Sequence, residues 1–195
     1  MSHPQSSRII EFHDGRQPAE AASELWRAIE DNHRNNCLLW DEEDLARRKN
    51  VPDAEIAKNK RAIDGYNQKR NDAIERIDEC LLTLFVDFSD NKPKRLSSET
   101  PGAMTDRLSI LSLKIHHMRL QTQRKDVEAA HVENCRAKLA RLQEQREDLA
   151  ACLDRLLEEC ARGESYFKVY RQFKMYNDPA LNPAMYGENR GAKRK

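Results

Sequence analysis

The stretch that decides the fold runs from Lys60 to Asp78 and reads KRAIDGYNQKRNDAIERID. An apolar series begins inside it and continues beyond it at steps of three and four residues. The members of this series are Ile74, Ile77, Leu81, Leu84 and Phe88. This spacing predicts a helix with one buried face.

Upstream of Ile74 the same helical face becomes polar. Stepping back by sevens leads from Ile74 to Asn67 and Lys60, and from Ile77 to Arg70. Burying an unsatisfied polar group costs roughly 1–3 kcal/mol, so a buried polar face needs partners. The stretch therefore predicts either a hydrogen-bonded network between helices or a pocket that holds a ligand.

The composition favours an all-α protein. Of the 195 residues, 38% are hydrophobic and 34% are charged, with six glycines, seven prolines and few aromatic residues. This balance is typical of long helices, and patterns typical of strands are nearly absent. We predict an all-α fold, namely an antiparallel helical bundle with long coiled-coil-like helices.

Charge and cysteine usage limit the classes of function. The formal net charge of +1 creates no global field, which argues against nucleic acid as a partner. The five cysteines include no Cys-x-x-Cys pair, as expected for reduced cytosolic thiols. No run approaches the about 18 apolar residues of a membrane span, and residues 1–17 lack an apolar signal core. We expect a cytoplasmic protein without membrane contact.

Prolines and glycines divide the chain. Residues 1–17 are interpreted as an N-terminal arm, 18–186 as a single helical-bundle domain and 187–195 as a basic flexible tail. Helices are predicted from Pro18 to about Asn50 and from about Pro52 to about Asp87. Residues 103–162 contain no glycine or proline, so a break near 121–126 or a protruding hairpin is expected. A further helix is predicted over 164–176.

The last part of the long segment carries a heptad pattern, which predicts bundle or coiled-coil packing. Arg146 is its one polar interruption. The apolar positions are Val132, Cys135, Leu139, Leu142, Leu149, Leu153, Leu156 and Cys160.

A short break around Val51 makes the first two helices antiparallel neighbours. Asn36 is then expected to face Asn67, and His33 to face Arg70 or Asn71. Both helices become polar in this zone, which predicts one shared site. The first helix would contribute His33, Asn36, Glu43, Asp44 and Arg47, and the second Lys60, Asp64, Asn67, Arg70 and Asn71.

Catalytic candidates in this site are His33, Asp64 and Glu43. A carboxylate bonded to one ring nitrogen of His33 would fix which nitrogen accepts a proton. Arg47, Lys60 and Arg70 could hold a phosphate or carboxylate, with Asn36, Asp44, Asn67 and Asn71 as further ligand-binding positions. The alternative is an ordinary interhelical ion-pair network. A lone histidine is more often structural than catalytic, and no reaction is predicted.

No metal or cofactor is predicted. Two Glu-x-x-His pairs, Glu30–His33 and Glu128–His131, have the spacing found in di-iron bundles, but the expected order of single and paired ligands is missing. Two surface pairs are the simpler interpretation. Glycine loops for phosphate, nucleophile elbows and zinc-finger spacings are also missing.

Two other segments suggest functional hypotheses. Lys114 and His117 fall on one side of their helix and could extend to the pocket, although a core or surface role is more common. Residues 166–176 interleave aromatic and basic side chains, as a surface for single-stranded nucleic acid does. One amphipathic helix face that closes the bundle explains the same spacing and is preferred.

The chain resembles a bacterial all-helical family that is classified only as a domain of unknown function. The resemblance covers most of residues 20–186 and includes EDLAR at 43–47, KRAID at 60–64, NQKRND at 67–72, DRLSIL at 106–111 and YRQFKMYNDP at 170–179. Further matching positions are Leu25, Trp26, Asn32, His33, Asn36, Leu39 and Trp40. Such proteins are similar to ones encoded near cell-surface glycan and glycosyltransferase genes. The resemblance implies a sugar or nucleotide-sugar context and assigns no catalytic residue.

Two functions remain open at this point. The first is binding, with or without conversion, of a small anionic, sugar-phosphate or nucleotide-sugar ligand in the polar seam. The second is a non-enzymatic adaptor or homo-oligomer that recruits a partner helix through the heptad segment from Val132 to Cys160.

Overall fold

The computed structural model describes residues 5–16, 23–85, 94–172, 175 and 178–186. Two short parallel strands pair with each other, β1 (Arg95–Leu96) and β2 (Ser165–Tyr166). The remaining elements are the helices α1 (Ser6–His13), α2 (Glu24–Leu45), α3 (Asp53–Leu84), α4 (Pro101–Thr122) and α5 (Ala129–Ala161). The predicted all-α fold is confirmed.

Helices α2 and α3 form the predicted antiparallel hairpin. The Ser23 hydroxyl caps α2 by accepting a hydrogen bond from the Trp26 amide at 3.2 Å. Cross-helix bonds join Asn59 to Glu42 at 2.7 Å near the turn and Arg76 to Asp31 at 2.7 Å farther along. The turn is longer than predicted, because α2 ends at Leu45 rather than near Asn50. The helix predicted to start at Pro18 begins instead at Glu24, after the extended Ser23, and the one predicted to reach about Asp87 ends at Leu84. Pro18 and Asp87 themselves lie outside the described residues.

Helices α4 and α5 form a second hairpin, so the expected break is confirmed between Thr122 and Ala129. The Thr100 side chain caps α4 by accepting from the Ala103 amide at 3.2 Å, and Pro101 occupies the first helical turn. In α5 the heptad positions from Leu149 to Cys160 are buried in this chain's own core. The positions Val132, Leu139 and Leu142 are only half-buried.

Helix α1 packs against α4 and α5. Ile9 fills the contact and is 1% exposed. At the start of the helix, the Ser6 amide and hydroxyl donate to the Asp154 carboxylate at 2.8 and 2.6 Å. Residues 8–12, which form a short apolar patch in the sequence, are therefore part of the bundle.

The predicted helix over residues 164–176 is wrong. Strand β2 pairs with β1 there, with the Ser97 amide donating to the Tyr166 carbonyl at 2.8 Å. The aromatic side chains do not share a face, because Phe167 is 3% exposed whereas Tyr170 is 68% exposed. Pairing with residues distant in sequence overrides the helical spacing, a common outcome for short segments. Phe173 lies outside the described residues.

No helix in the described part of the chain is long and apolar enough to cross a membrane.

Gly102 allows α3 and α4 to approach closely. Its amide donates to a carboxylate oxygen of Asp78 at 2.6 Å, and burial raises the pKa of that carboxyl group to about 6. A methyl group on Gly102 would lie 2.5 Å from the Ile74 carbonyl oxygen and 2.8 Å from the Asp78 carboxylate. Because the first of these atoms belongs to the backbone, the two helices would have to separate.

We expect Gly102→Ala to lower the free energy of unfolding by roughly 1–3 kcal/mol, the usual cost of overpacking. Gly65→Ala is the matched control, because Gly65 is also helical but, apart from its own stretch of helix backbone, has no atom within 4 Å of the added methyl group. That change should stabilise the protein by about 1 kcal/mol through helix propensity. Urea denaturation measures both effects. Equal shifts of the same sign would contradict the close helix approach.

Candidate functional site

Four of the charged residues predicted for the site pair along their own helices at the surface. Arg47 donates to Glu43 at 2.7 Å, and Lys60 contacts Asp64 at 2.9 Å. Both are pairs four residues apart with largely exposed side chains. Such pairs contribute only about 0.3–0.5 kcal/mol to stability.

Helix geometry explains why Lys60 and Asp64 do not point inward. A straight α-helix drifts by roughly 20° per heptad relative to a strict seven-residue repeat. Lys60 lies two heptads before Ile74, so the drift turns it away from the buried face. Asn59 and Ile63 take the buried positions instead, at 8% and 3% exposure.

The predicted amide partners Asn36 of α2 and Asn67 of α3 form no hydrogen bond with each other in the described part of the chain. The Asn36 side chain is hydrogen-bonded to α2 and α4 rather than to α3. On α3, Asn67 is half-buried, and Asn71 donates to the Gln172 side chain at 2.9 Å. The expected pairing of Asn36 with Asn67 is therefore replaced by contacts to other parts of the chain.

A buried polar network joins α2, α3 and α4 around Asp106. One oxygen of the Asp106 carboxylate accepts hydrogen bonds from the Asn32 and Asn36 side-chain amides, both at 2.9 Å. Nε of Arg70 lies 3.8 Å from the same oxygen. The Asn36 amide also donates to the Ser109 hydroxyl at 3.0 Å. Two predicted site residues, Asn36 and Arg70, thus meet through an acceptor on α4.

His33 joins this network through a pairing that superficially resembles a nucleophile and its base. Nδ1 of His33 lies 2.8 Å from the Ser109 hydroxyl oxygen. Ser109 is fully buried at 0% exposure, so no substrate reaches its oxygen in this conformation. The geometry supports a structural role for the pair, which holds α2 and α4 together.

The C-terminal end of α1 covers His33. The ring of His13 stacks on the ring of His33 with centroids 4.6 Å apart and an interplanar angle of 25°. Next to them, Arg146 of α5 donates to the two Asp14 oxygens at 2.9 and 3.0 Å. Burial lowers the pKa of His33, and it lowers the pKa of His13 well below 6.5 with support from the nearby charges of His33 and Arg146.

An open groove lies between α2, α4 and α5, with a volume of about 690 Å³. The rings of Trp40 and His117 stack in its wall with centroids 4.3 Å apart and an interplanar angle of 12°. Of the residues predicted for the site, Asp44 lines this groove. The other lining residues are Lys114, Met118, Gln121, Ala137, Lys138, Arg141, Leu142 and Gln145.

Two lysines without an ion pair among the described residues line this groove, whereas two other cavities of similar size each have one, Lys69 in the first and Lys114 in the second. Lys114 and Lys138 form no ion pair with any residue in the described ranges, and both are exposed. A cavity of about 640 Å³ on the α2–α3 face contains Arg76, which Asp31 neutralises at 2.7 Å. A third cavity, of about 620 Å³, contains Arg107 in an ion pair with Glu99. Lys114 also lines that third cavity.

The two Glu-x-x-His pairs have different surroundings. His33 belongs to the buried network, whereas His131 is exposed and its Nε2 lies 3.5 Å from the sulfur of Cys135. Within the described ranges, no group of three or more His, Cys, Asp or Glu side chains is arranged to hold a metal ion.

Sequence reasoning did not identify the hydrogen-bond acceptors that α4 contributes to the network, nor the residues that α5 contributes to the groove. Asp106, Ser109 and Ser112 recur every three residues on a buried face of α4, and this polar stripe was a usable signal. Lys138 and Arg141 carry no such signal, because exposed charges on a heptad helix are ordinary. Lys114 and His117 were considered for the pocket, and both line the groove.

These features define an all-α bundle of two hairpins, with a buried polar network and a basic groove beside it. The chain belongs to the family described as "Protein of unknown function (DUF4254)", whose sequence profile matches residues 26–169. The matched region contains the network and the groove, and it excludes α1. Comparisons with curated proteins and with solved structures gave no match.

Proposed function

We propose that this protein binds a small anionic ligand, of the sugar-phosphate or nucleotide-sugar class, in the groove between α2, α4 and α5. The observation that carries the proposal is the placement of Lys114 and Lys138, which form no ion pair with the described residues, beside the Trp40–His117 stack. An anionic ligand would supply the negative partner that the two lysine side chains do not find among the described residues. Charge-assisted hydrogen bonds to phosphate are among the stronger polar contacts.

The rest of the groove suits the uncharged part of such a ligand. Pockets for small molecules usually combine apolar and aromatic walls with a few polar groups that fix orientation. Here Met118 and Leu142 provide apolar surface, and the stacked rings provide a flat wall. Asp44, Gln121 and Gln145 offer acceptors and donors for hydroxyl groups.

The buried network acts as the support of the groove in this proposal. Asn36 lies one helical turn before Trp40 on α2, and Ser109 lies about two turns before His117 on α4. The hydrogen bond between Asn36 and Ser109 therefore fixes the register in which the two rings stack. Buried polar residues commonly serve to fix register, and their removal is costly.

The bacterial cell-surface glycan setting is part of the proposal and comes from the family resemblance in the sequence. A cytoplasmic location is proposed on the cysteine usage. The ligand roles suggested by the sequence for residues outside the groove, Lys60 and Asn67 among them, stay predictions, as does a homo-oligomer or partner helix.

A thermal-shift screen of sugar phosphates and nucleotide sugars tests the proposal. A ligand present at 100 times its dissociation constant stabilises the folded state by about 2.7 kcal/mol, which raises the melting temperature measurably. Lys114→Ala and Lys138→Ala should each weaken binding of the best compound by about tenfold or more, because hydrogen bonds to charged groups contribute roughly 1.5–3 kcal/mol.

Lys58→Ala is the matched control, because Lys58 is exposed on α3 and does not line the groove. It should leave the affinity unchanged. Absence of any stabilising compound would contradict the proposed function. Equal weakening by all three lysine changes would show that binding is nonspecific and not located in the groove.

A further inference from the structure

His13 is buried in an unusual way for a titratable side chain. It is 7% exposed, and both of its ring nitrogens are buried without a hydrogen-bond partner among the described residues. One face of its ring is taken by His33 of α2 at 4.6 Å. A neutral imidazole tolerates this environment, whereas an imidazolium needs acceptors for two N–H groups.

The charges around His13 oppose its protonation. Arg146 of α5 and His33 of α2 both face the His13 ring. The neighbouring carboxylate, Asp14 on α1 itself, is already held by Arg146 at 2.9 and 3.0 Å. From α4, the neutral hydroxyl of Ser112 accepts from Arg146 at 3.4 Å. A proton on His13 would thus add a second cation beside Arg146 without a free acceptor.

We propose that His13 is an acid-sensitive latch, which holds α1 on the bundle while its ring is neutral and releases α1 when the ring takes up a proton. The latch goes beyond the proposed ligand binding and does not rest on it. Once α1 leaves, water solvates the imidazolium and Asp14 separates from Arg146.

The direction of the pH dependence follows from the difference in the pKa of His13 between the docked and the released state of α1. Burial lowers the pKa of His13 in the docked state well below the value of 6.5 that applies once α1 is released. The contribution of neutral His13 to docking is therefore fully present above pH 6.5 and is lost as the pH falls below it. For one proton, the ratio of released to docked α1 rises about tenfold per pH unit.

The position of α1 gives the latch a consequence for the groove. Arg146, the contact of Asp14, directly follows Gln145, which lines the groove. His33, the contact of His13, lies about two turns before Trp40 on α2. Release of α1 would therefore free Arg146 beside Gln145 and His33 on the helix that carries Trp40, and would uncover the apolar surface under Ile9.

Hydrogen exchange of the α1 amides tests the latch in the unmodified protein. Protection factors of residues 10–14, corrected for the intrinsic pH dependence of exchange, should be constant from pH 8 to about 6.5 and then fall about tenfold per pH unit to about 5.5. The protection factors of buried α3 residues such as Ile77 and Leu81 should not fall in this pH range, because only α1 opens. A constant α1 protection across pH 6.5, or a parallel fall in α3, would overturn the proposal.

His13→Phe keeps an aromatic ring that does not titrate and should make the α1 protection independent of pH in this range. His131→Phe is the matched control, because His131 is exposed on α5. This variant should keep the pH dependence of the α1 protection. Unchanged α3 protection shows that each variant is folded, and His13→Met serves as a second non-titrating variant. Persistence of the tenfold slope in the folded His13 variants would assign the proton to another group and refute the latch.

Discussion

Asp106→Ala is expected to lower the free energy of unfolding by about 3–5 kcal/mol, the range found when one partner of a buried charge pair is removed. The change deletes the acceptor that the Asn32 and Asn36 amides share at 2.9 Å. It also removes the carboxylate that lies 3.8 Å from Nε of Arg70, an atom that is buried without a hydrogen-bond partner among the described residues. Chemical denaturation followed by far-UV circular dichroism measures the loss.

Two further variants separate the causes. Asp106→Asn keeps an oxygen acceptor but removes the charge, so it should cost less than Asp106→Ala. Asp64→Ala removes an exposed carboxylate that pairs with Lys60 on the surface and should change stability by less than about 0.5 kcal/mol. A value for Asp106→Ala as small as that for Asp64→Ala would mean that the network does not hold α2 and α4 together.

The second large effect is expected for Leu153→Ala, which should cost about 2–5 kcal/mol. Leu153 is 1% exposed within the core cluster, so truncation leaves a cavity among side chains that can relax only in part. Leu120→Ala is the matched control, because Leu120 is 46% exposed near the end of α4 and surface changes usually stay within about 0.5 kcal/mol. Thermal and denaturant unfolding of the two variants provide the comparison.

This prediction also bears on the adaptor alternative. If the heptad face of α5 packs only against an absent partner, Leu153→Ala would leave the isolated chain as stable as Leu120→Ala does. A cost in the expected range would instead assign the face from Leu149 to Cys160 to the folding of the chain itself.

Much of the fold was predictable, because its signals are local. The break around Val51 and the proline at Pro101 mark helix ends through proline chemistry. The start of α2 is the exception, because the sequence places it at Pro18 whereas Ser23 caps it. The three- and four-residue spacing of apolar side chains marks the buried faces. Neither signal depends on which other helix covers a face, so both can be interpreted without coordinates.

The candidate site was only partly predictable. The spacing predicts inward positions for the polar residues His33, Asn36 and Arg70, and they meet in a buried network. Their common partners on α4, Asp106 and Ser109, were not assigned. Periodicity identifies the side of a helix that is buried, but it does not identify the neighbouring helix on that side. The heptad extrapolation to Lys60 failed for a related reason, because small angular errors accumulate over two heptads.

The sequence by itself determined the helical class, the two hairpins and the apolar core, since these depend on interactions within a few residues. Only the tertiary structure decided that α4 supplies the acceptors for α2, that the groove forms beside Trp40 and that residues 165–166 join a strand. Each of these depends on contacts between residues about 70 or more positions apart, as between Arg95 and Ser165 or between Asn36 and Asp106. Such contacts are set by how whole helices pack, which no local spacing encodes.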